Sequence, residues 1–271
     1  MKKILSLILC ALLLCLSAGC NNSDTPTGYA VLLGEGPDHL RQFPTADTLV
    51  IDGAYFSTED VKSIKDAGVK TLYSYLNIGS LENFRDRYDE FLQYTLGLYP
   101  DWPEERWMDV SNARWQDFIL AAAGALAEKG FDGFFIDNTD VYYNYPTEEI
   151  YQGIVSILSS LTNFGKDIVI NGGDVFVRRY IEDGMPEIFS GVNQENVFTA
   201  YDFGAQKASL STEADRDYYT EYLNFVEAKG YDVFILEYAK SQSVAEEAQR
   251  LAEASGWTYY ISDNIDLRLN K

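Results

Sequence analysis

The chain has 271 residues and a formal net charge of −21, from 42 acidic and 21 basic side chains. Such a charge excludes nucleic acid as a partner and favours cationic or neutral ones. The only histidine is His39, so Ser-His-Asp triads, Cys-His pairs and multi-histidine metal sites are excluded by inventory.

The first element in the chain, residues 1–19, has the pattern of a signal peptide. Lys2 and Lys3 precede an apolar segment at 4–16 that is too short for a comfortable membrane span. The letters LSAGC at 16–20 resemble the lipobox of bacterial lipoproteins, in which the cysteine thiol accepts a diacylglyceryl group. We predict an exported protein held on the extracytoplasmic face of the cell membrane by a lipid on Cys20. The alternative is an ordinary cleaved signal peptide, with Cys20 incidental.

This processing leaves no cysteine for chemistry, because Cys10 and Cys15 lie in the removed segment. Catalysis would therefore depend on carboxylates. Residues 20–28 are predicted to be the lipidated cysteine and a polar tether, and residues 29–271 to be a single domain of a length typical of α/β barrels. We predict no metal, no cofactor and no obligate protein partner.

One pattern recurs along the predicted domain: a glycine ends a helix, an apolar strand follows, and a polar residue comes seven positions after the glycine. It occurs at 130–137, 230–237 and 256–263, and at 68–75 with tyrosine in the last place. Glycine suits the left-handed position after a helix, and continuous apolar strands suit a sheet buried on both faces. The repeats predict a parallel sheet, and we expect a (β/α)8 barrel of the TIM type.

Five long helices and nine strands are predicted. The helices are 57–67, 112–129, 147–161, 212–229 and 243–254, the last with a capping box formed by Ser243 and Glu246. The strands are 29–33, 48–52, 70–75, 107–110, 134–137, 167–171, 191–194, 233–237 and 258–262. Since a barrel of this type has eight strands, either the first or the last is peripheral or one is a short addition.

Polar residues close most of the predicted strands. They are Asp52, Asp109, Asp137, Asn171, Glu195, Glu237 and Asp263, with Asp140 three positions after Asp137. The active site of such a barrel lies at the C-terminal ends of its strands. A single aspartate there is often only a helix cap, but several carboxylates in one cleft are costly and indicate function. Asp137 and Asp140 lack the spacing of a calcium loop.

A pair of carboxylates across a cleft can carry out glycoside hydrolysis, one as general acid and the other as nucleophile or base. Several tyrosines follow the predicted strand ends, where their rings could stack on sugars or cover the barrel rim. They are Tyr142, Tyr143, Tyr145, Tyr201 and Tyr238.

Three segments resemble glycoside hydrolase family 114, the endo-α-1,4-polygalactosaminidases. They are residues 75–85 (YLNIGSLENFR), 107–109 (WMD) and 130–142 (GFDGFFIDNTDVY). Asn171, Glu195 and the dipeptide Glu237-Tyr238 fall where that family has its later strand ends. The resemblance covers about residues 29–265.

The resemblance implies a barrel that cleaves within α-1,4-linked galactosamine or N-acetylgalactosamine polysaccharide, with Asp137 as nucleophile and Glu195 as general acid/base. We favour a retaining mechanism, in which the two carboxyl groups lie roughly 5 to 5.5 Å apart, over an inverting one, which needs roughly 6.5 to 9.5 Å. Glu237 is the reserve acid. Asp52 and Asp109 would orient the substrate or the catalytic pair, and Arg85 would neutralise the acidic cluster. The expected substrate-binding residues are Asp52, Tyr75, Glu82, Arg85, Asp109, Asn138, Asp140, Tyr142, Asn171, Glu237 and Tyr238. A rival hypothesis is a sugar-binding surface lipoprotein that kept the barrel without turnover.

Overall fold

Eight parallel strands form a nearly closed barrel in the computed structural model, which describes residues 28–40, 46–100 and 102–269. The strands are β1 (Tyr29–Val31), β2 (Thr48–Ile51), β3 (Thr71–Asn77), β4 (Ser80–Glu82), β5 (Thr95–Leu98), β6 (Glu105–Met108), β7 (Gly133–Asp137), β8 (Asp167–Asn171), β9 (Gly191–Glu195), β10 (Thr199–Asp202), β11 (Lys207–Leu210), β12 (Asp232–Tyr238) and β13 (Thr258–Ser262). The barrel order is β1-β2-β3-β7-β8-β9-β12-β13, and β13 lies against β1. The predicted (β/α)8 architecture is confirmed. The predicted signal peptide, Cys20 and the tether up to residue 27 lie outside the described residues.

Helices connect the barrel strands. They are α1 (Pro37–Leu40), α2 (Thr58–Asp66), α3 (Tyr88–Phe91), α4 (Ala113–Lys129), α5 (Val141–Asn144), α6 (Glu148–Leu161), α7 (Asp174–Glu182), α8 (Glu213–Ala228) and α9 (Gln242–Ser255). Within the described ranges, none of them combines the length and the apolar character needed to cross a bilayer.

One of the nine predicted strands, 107–110, does not belong to the barrel. It corresponds to β6, the middle strand of a small antiparallel sheet, β4-β6-β5, that follows β3. The first and last predicted strands are both barrel strands, so the extra one is the short addition. A second excursion, the antiparallel hairpin β10-β11, follows β9.

The glycines of the repeated pattern have the expected backbone. Gly68, Gly130, Gly230 and Gly256 have φ angles of 119°, 99°, 92° and 80°, in the left-handed region that favours glycine. The predicted capping box at Ser243 is wrong. Helix α9 begins earlier, and the Ser241 side chain accepts a hydrogen bond from the Val244 amide.

Strand alternation decides which side chains enter the barrel. Tyr73, Phe135, Val169 and Leu236 belong to an interior cluster, whereas their strand neighbours pack against the helices. Asp137 is two positions after Phe135 and therefore faces the barrel mouth.

Candidate active site

Five adjacent barrel strands each contribute one polar side chain to a hydrogen-bonded row across the mouth. In sheet order, β3 supplies Tyr75, β7 Asp137, β8 Asn171, β9 Glu195 and β12 Tyr238. Each lies in the last three residues of its strand, where parallel strands bring their C-terminal ends together. The structure thus brings the predicted nucleophile and the predicted acid/base to one place.

The Asn171 side-chain amide joins the two carboxylates. Its Nδ2 donates to Asp137 Oδ1 at 2.8 Å and to Glu195 Oε1 at 2.9 Å. The two acceptor oxygens are therefore closer together than the sum of these distances. Asp137 and Glu195 are half-buried residues at the mouth ends of their strands.

A tyrosine hydroxyl completes each end of the row. Tyr75 donates to Asp137 Oδ2 at 2.9 Å, and Tyr238 donates to Glu195 Oε2 at 2.8 Å. Every carboxylate oxygen of the pair therefore accepts at least one hydrogen bond from a neutral donor. These donors hold the two side chains in position, and among the described residues no Lys or Arg forms an ion pair with either of them.

A second chain of hydrogen bonds sets the orientation of the Asn171 amide. Tyr29 OH donates to Asn193 Oδ1 at 3.0 Å, and Asn193 Nδ2 donates to Asn171 Oδ1 at 2.7 Å. Because the Asn171 oxygen is occupied, its NH2 group must face the two carboxylates. The sequence analysis did not identify Tyr29 and Asn193 as site residues. Both stand at positions of β1 and β9 whose side chains face the barrel interior, and strand alternation would have indicated them.

Electrostatics separates the two acids. Burial raises the pKa of Asp137, while hydrogen bonds from Asn171, Tyr75 and the Asn138 amide act against it. Burial also raises the pKa of Glu195, and the charge of Asp137 raises it further. Hydrogen bonds from Asn171 and Tyr238 act against both effects, and the negative charge of Asp137 opposes ionisation of Glu195, which is the direction that a general acid needs.

Arg85 joins two further acids on the Asp137 side of the mouth. Its guanidinium contacts Asp52 Oδ2 at 2.8 Å and Glu82 Oε2 at 2.6 Å, and it lies 5.9 Å from the centroid of the Tyr75 ring. Asp52 also caps the turn that follows β2 through the Ala54 amide. The Arg85 guanidinium of this cluster lies over the Tyr75 ring. Direct substrate contact by Asp52, Glu82 and Arg85 stays a prediction.

A carboxylate that the sequence analysis missed, Glu105 of β6, lies beside this cluster. Its Oε2 accepts hydrogen bonds from Asn77, Ser80 and Asn138, with Asn77 and Asn138 each at 3.4 Å. Burial, together with the charges of Glu82 and Asp137, raises the pKa of Glu105 to about 7. Nothing in the local sequence separates Glu105 from its exposed neighbour Glu104.

Asp140 lies beyond the row, on the β7–α5 connection. Its carboxylate accepts from the Gly173 amide, with Oδ2 at 3.1 Å. Burial and the charges of Asp137 and Asp174 raise its pKa to about 7. The sequence analysis also missed Tyr99. Burial raises the pKa of its hydroxyl, and the charges of Asp137, Asp140, Glu105 and Glu195 raise it further.

The prediction that Glu237 contacts substrate or serves as a reserve acid is contradicted. Its side chain is fully buried, and its two oxygens accept from the amides of Val197, Phe198 and Thr199 and from the Thr199 hydroxyl. Strand alternation explains this, because Glu237 lies between Leu236 and Tyr238, which both face the interior. Glu237 instead fixes the segment that follows Glu195.

Two other predicted substrate contacts are not supported by the geometry. Asp109 follows β6 rather than a barrel strand, and its Oδ1 accepts from the Ser111 amide and hydroxyl. Tyr142 is a core residue that packs 5.5 Å from the Tyr151 ring and accepts from Arg179 NH1 at 2.8 Å.

Comparisons with known proteins agree with a carboxylate-based glycoside hydrolase site on this barrel. The model of glycoside hydrolase family GH114 matches residues 17–166. The glycoside hydrolase domain of PelA from Pseudomonas aeruginosa is similar in structure, with a TM-score of 0.74 and 20% identity over 90% of this chain and 96% of that one. Aspergillus fumigatus Ega3, solved in complex with galactosamine, gives a TM-score of 0.69 and 18% identity over 90% of this chain and 94% of that one.

A protein of Deinococcus radiodurans without an assigned activity is 22% identical over 225 residues, which cover 78% of this chain and 70% of the relative. At these identities the solved structures establish the shared fold, and the family model establishes the kinship. Together with the carboxylate pair at the barrel mouth, they show that the chain belongs to glycoside hydrolase family GH114 and is a glycosidase.

Proposed function

We propose that this protein cleaves within α-1,4-linked galactosamine or N-acetylgalactosamine polysaccharide by a retaining mechanism, with Asp137 as nucleophile and Glu195 as general acid/base. The observation that carries the proposal is the Asn171 bridge between the two carboxylates. The shared donor brings Asp137 Oδ1 and Glu195 Oε1 closer together than the sum of its two distances, and this close approach favours the roughly 5 to 5.5 Å of a retaining pair over the roughly 6.5 to 9.5 Å of an inverting one.

The reaction would proceed by two displacements. Glu195 donates its proton to the glycosidic oxygen while Asp137 attacks the anomeric carbon, so the leaving sugar departs with the bonding electron pair and the proton. The ionised Glu195 then takes a proton from water, whose oxygen attacks the anomeric carbon and releases Asp137. Two inversions at the same carbon give net retention. The raised pKa of Glu195, to which the charge of Asp137 contributes, supports its role as the acid.

Galactosamine is the favoured sugar for two reasons. Ega3, a structural neighbour, was solved with galactosamine bound. The mouth also carries Glu105, Asp137, Asp140 and Glu195, and an ammonium group on the substrate would balance part of this charge.

The test is to incubate the purified protein with galactosamine and N-acetylgalactosamine oligomers and to follow the anomeric configuration of the first product by NMR. Asp137→Asn and Glu195→Gln should each reduce turnover by about a thousandfold, whereas Glu104→Gln, an exposed carboxylate, should leave it unchanged. Binding without cleavage by the wild type would instead support a sugar-binding role without turnover, and an inverted first product would refute the retaining mechanism.

We further propose that the barrel works outside the cytoplasm, anchored by a lipid on Cys20. The predicted signal peptide and lipobox support this. Metabolic labelling with a radioactive fatty acid should mark the wild type and not Cys20→Ala. A label retained by that variant would place the anchor elsewhere, and its absence from both would refute lipidation.

A further inference from the structure

Two aromatic side chains from different excursions meet above the barrel. Trp102 lies between β5 and β6, and Phe203 lies in the turn between β10 and β11. Their ring centroids are 5.5 Å apart, and the rings are nearly perpendicular at 77°. Trp102 is 38% exposed and Phe203 is 40% exposed. Large rings held together this far from the core are a feature of binding surfaces.

The ring pair is connected to the acid/base by further aromatic contacts. Phe203 packs 5.1 Å from Tyr201, and Tyr201 packs 6.2 Å from Tyr238, whose hydroxyl donates to Glu195. The Trp102–Phe203 pair is thus separated from Glu195 by two further rings.

The direction of this aromatic path is also defined. In the proposed reaction Glu195 protonates the leaving oxygen, so groups that extend from Glu195 lie on the side of the leaving sugar. The neighbours of Asp137, which are Tyr75 and then Arg85, lead the opposite way. Trp102 comes from the excursion that follows β3, but its partner Phe203 connects the exposed ring pair to the acid/base end of the row, the end that faces the departing part of the polysaccharide.

We propose that Trp102 and Phe203 form a distal binding subsite that stacks on a sugar ring of the leaving portion of the polysaccharide. This inference rests on the proposed function and deepens it. The apolar C–H face of a pyranose fits against an exposed aromatic ring, while the hydroxyl groups at its edge stay in water. Binding energy gained at a position remote from the cleaved bond can be used to accelerate the reaction at that bond, so a long polysaccharide gains more than a short one.

The experiment compares two substrates with wild type, Trp102→Ala and Phe203→Ala. A nitrophenyl glycoside of a galactosamine disaccharide has no sugar on the leaving side, whereas a long galactosamine oligomer reaches the subsite. Each variant should lose about 3- to 10-fold in kcat/KM on the oligomer and keep its rate on the nitrophenyl substrate. Trp102→Phe should recover most of the loss. Met185→Ala is the matched control, because Met185 is 37% exposed and precedes β9 at the opposite end of the barrel.

Equal losses on both substrates would show that the rings only hold the two excursions in place and would overturn the subsite, as would unchanged kinetics on the oligomer. If the wild type cleaves neither substrate, the proposed function fails by itself, and calorimetry then decides the subsite. Weaker oligomer binding by Trp102→Ala than by Met185→Ala would support it, and equal binding would refute it.

Discussion

Each carboxylate of the pair has its own tyrosine donor, so its proton affinity can be altered separately. Removing the hydroxyl in Tyr75→Phe should raise the pKa of Asp137, and the acidic limb of the pH–rate profile should move up by about one unit. Tyr238→Phe should raise the pKa of Glu195, so that the basic limb moves up instead. Profiles of kcat/KM against pH on a galactosamine oligomer measure both shifts.

Tyr73→Phe is the control for this pair, since Tyr73 is also a barrel tyrosine whose hydroxyl contacts a carboxylate, Asp167, at 3.4 Å. That contact is at the other end of the barrel, and neither limb should move. If both active-site variants shifted the same limb, the assignment of nucleophile and acid would be wrong.

Glu105 makes the stability of the protein depend on pH. Burial raises its pKa from an ordinary 4.5 to about 7 in the folded state, so the folded protein prefers the protonated form. The resulting penalty is absent below about pH 4.5 and complete above about pH 7. Glu105→Gln should therefore leave the free energy of unfolding unchanged at pH 4 and raise it by about 1–3 kcal/mol at pH 8.

Denaturant unfolding at the two pH values measures this difference, with the exposed Glu104→Gln as the reference. A gain of the same size at both values would point to packing rather than charge, and a loss at pH 8 would contradict the prediction.

The central residues of the site were within reach of sequence reasoning because each closes or nearly closes an apolar strand. Tyr75, Asp137, Asn171 and Glu195 all have this position. Glu105 could not be found in the same way, since it enters the mouth through a rim sheet whose placement depends on tertiary contacts. Tyr99 was missed for the same reason.

The turn between β3 and β4 leaves no space for a side chain at Gly79. A Cβ at Gly79 would overlap the Asn138 carbonyl oxygen, and Asn138 itself has a φ of 66°. Gly79→Ala should therefore lower the free energy of unfolding by about 2–4 kcal/mol and displace the segment after Asp137. Gly36→Ala, where the added Cβ meets nothing within 4 Å, should change stability by less than about 0.5 kcal/mol. Thermal and denaturant unfolding compare the two, and equal effects would contradict the close approach.

The barrel strands were predictable because their continuous apolar runs and the glycines before them are local signals. The face of each strand-end residue was not fixed by the same signals. Asp137 and Glu237 both stand seven positions after a glycine, yet one faces the mouth and the other faces outward. Strand β12 ends at Tyr238, which is one residue beyond the position seven after Gly230.

At the scale of the whole molecule, the formal net charge of −21 should act on the encounter with substrate. A galactosamine polymer is cationic, so kcat/KM should fall as salt is raised from about 0.01 to 0.15 M, where the Debye length shortens from about 30 to about 8 Å. An N-acetylated polymer carries no charge and serves as the control. Similar salt dependence for both polymers would show that long-range attraction has no part in substrate capture.

The hydrogen bond from Tyr29 to Asn193 makes catalysis depend on the position of β1 in the barrel. Tyr29 is the first residue of the first strand, and three successive hydrogen bonds lead from it to both carboxylates. If β1 frayed, the Asn171 amide would be free to rotate and to present its oxygen to two acids, which would repel it. Turnover should then depend on how firmly β1 is held in the barrel. Cleavage of the chain next to β1 would abolish activity before the barrel unfolds.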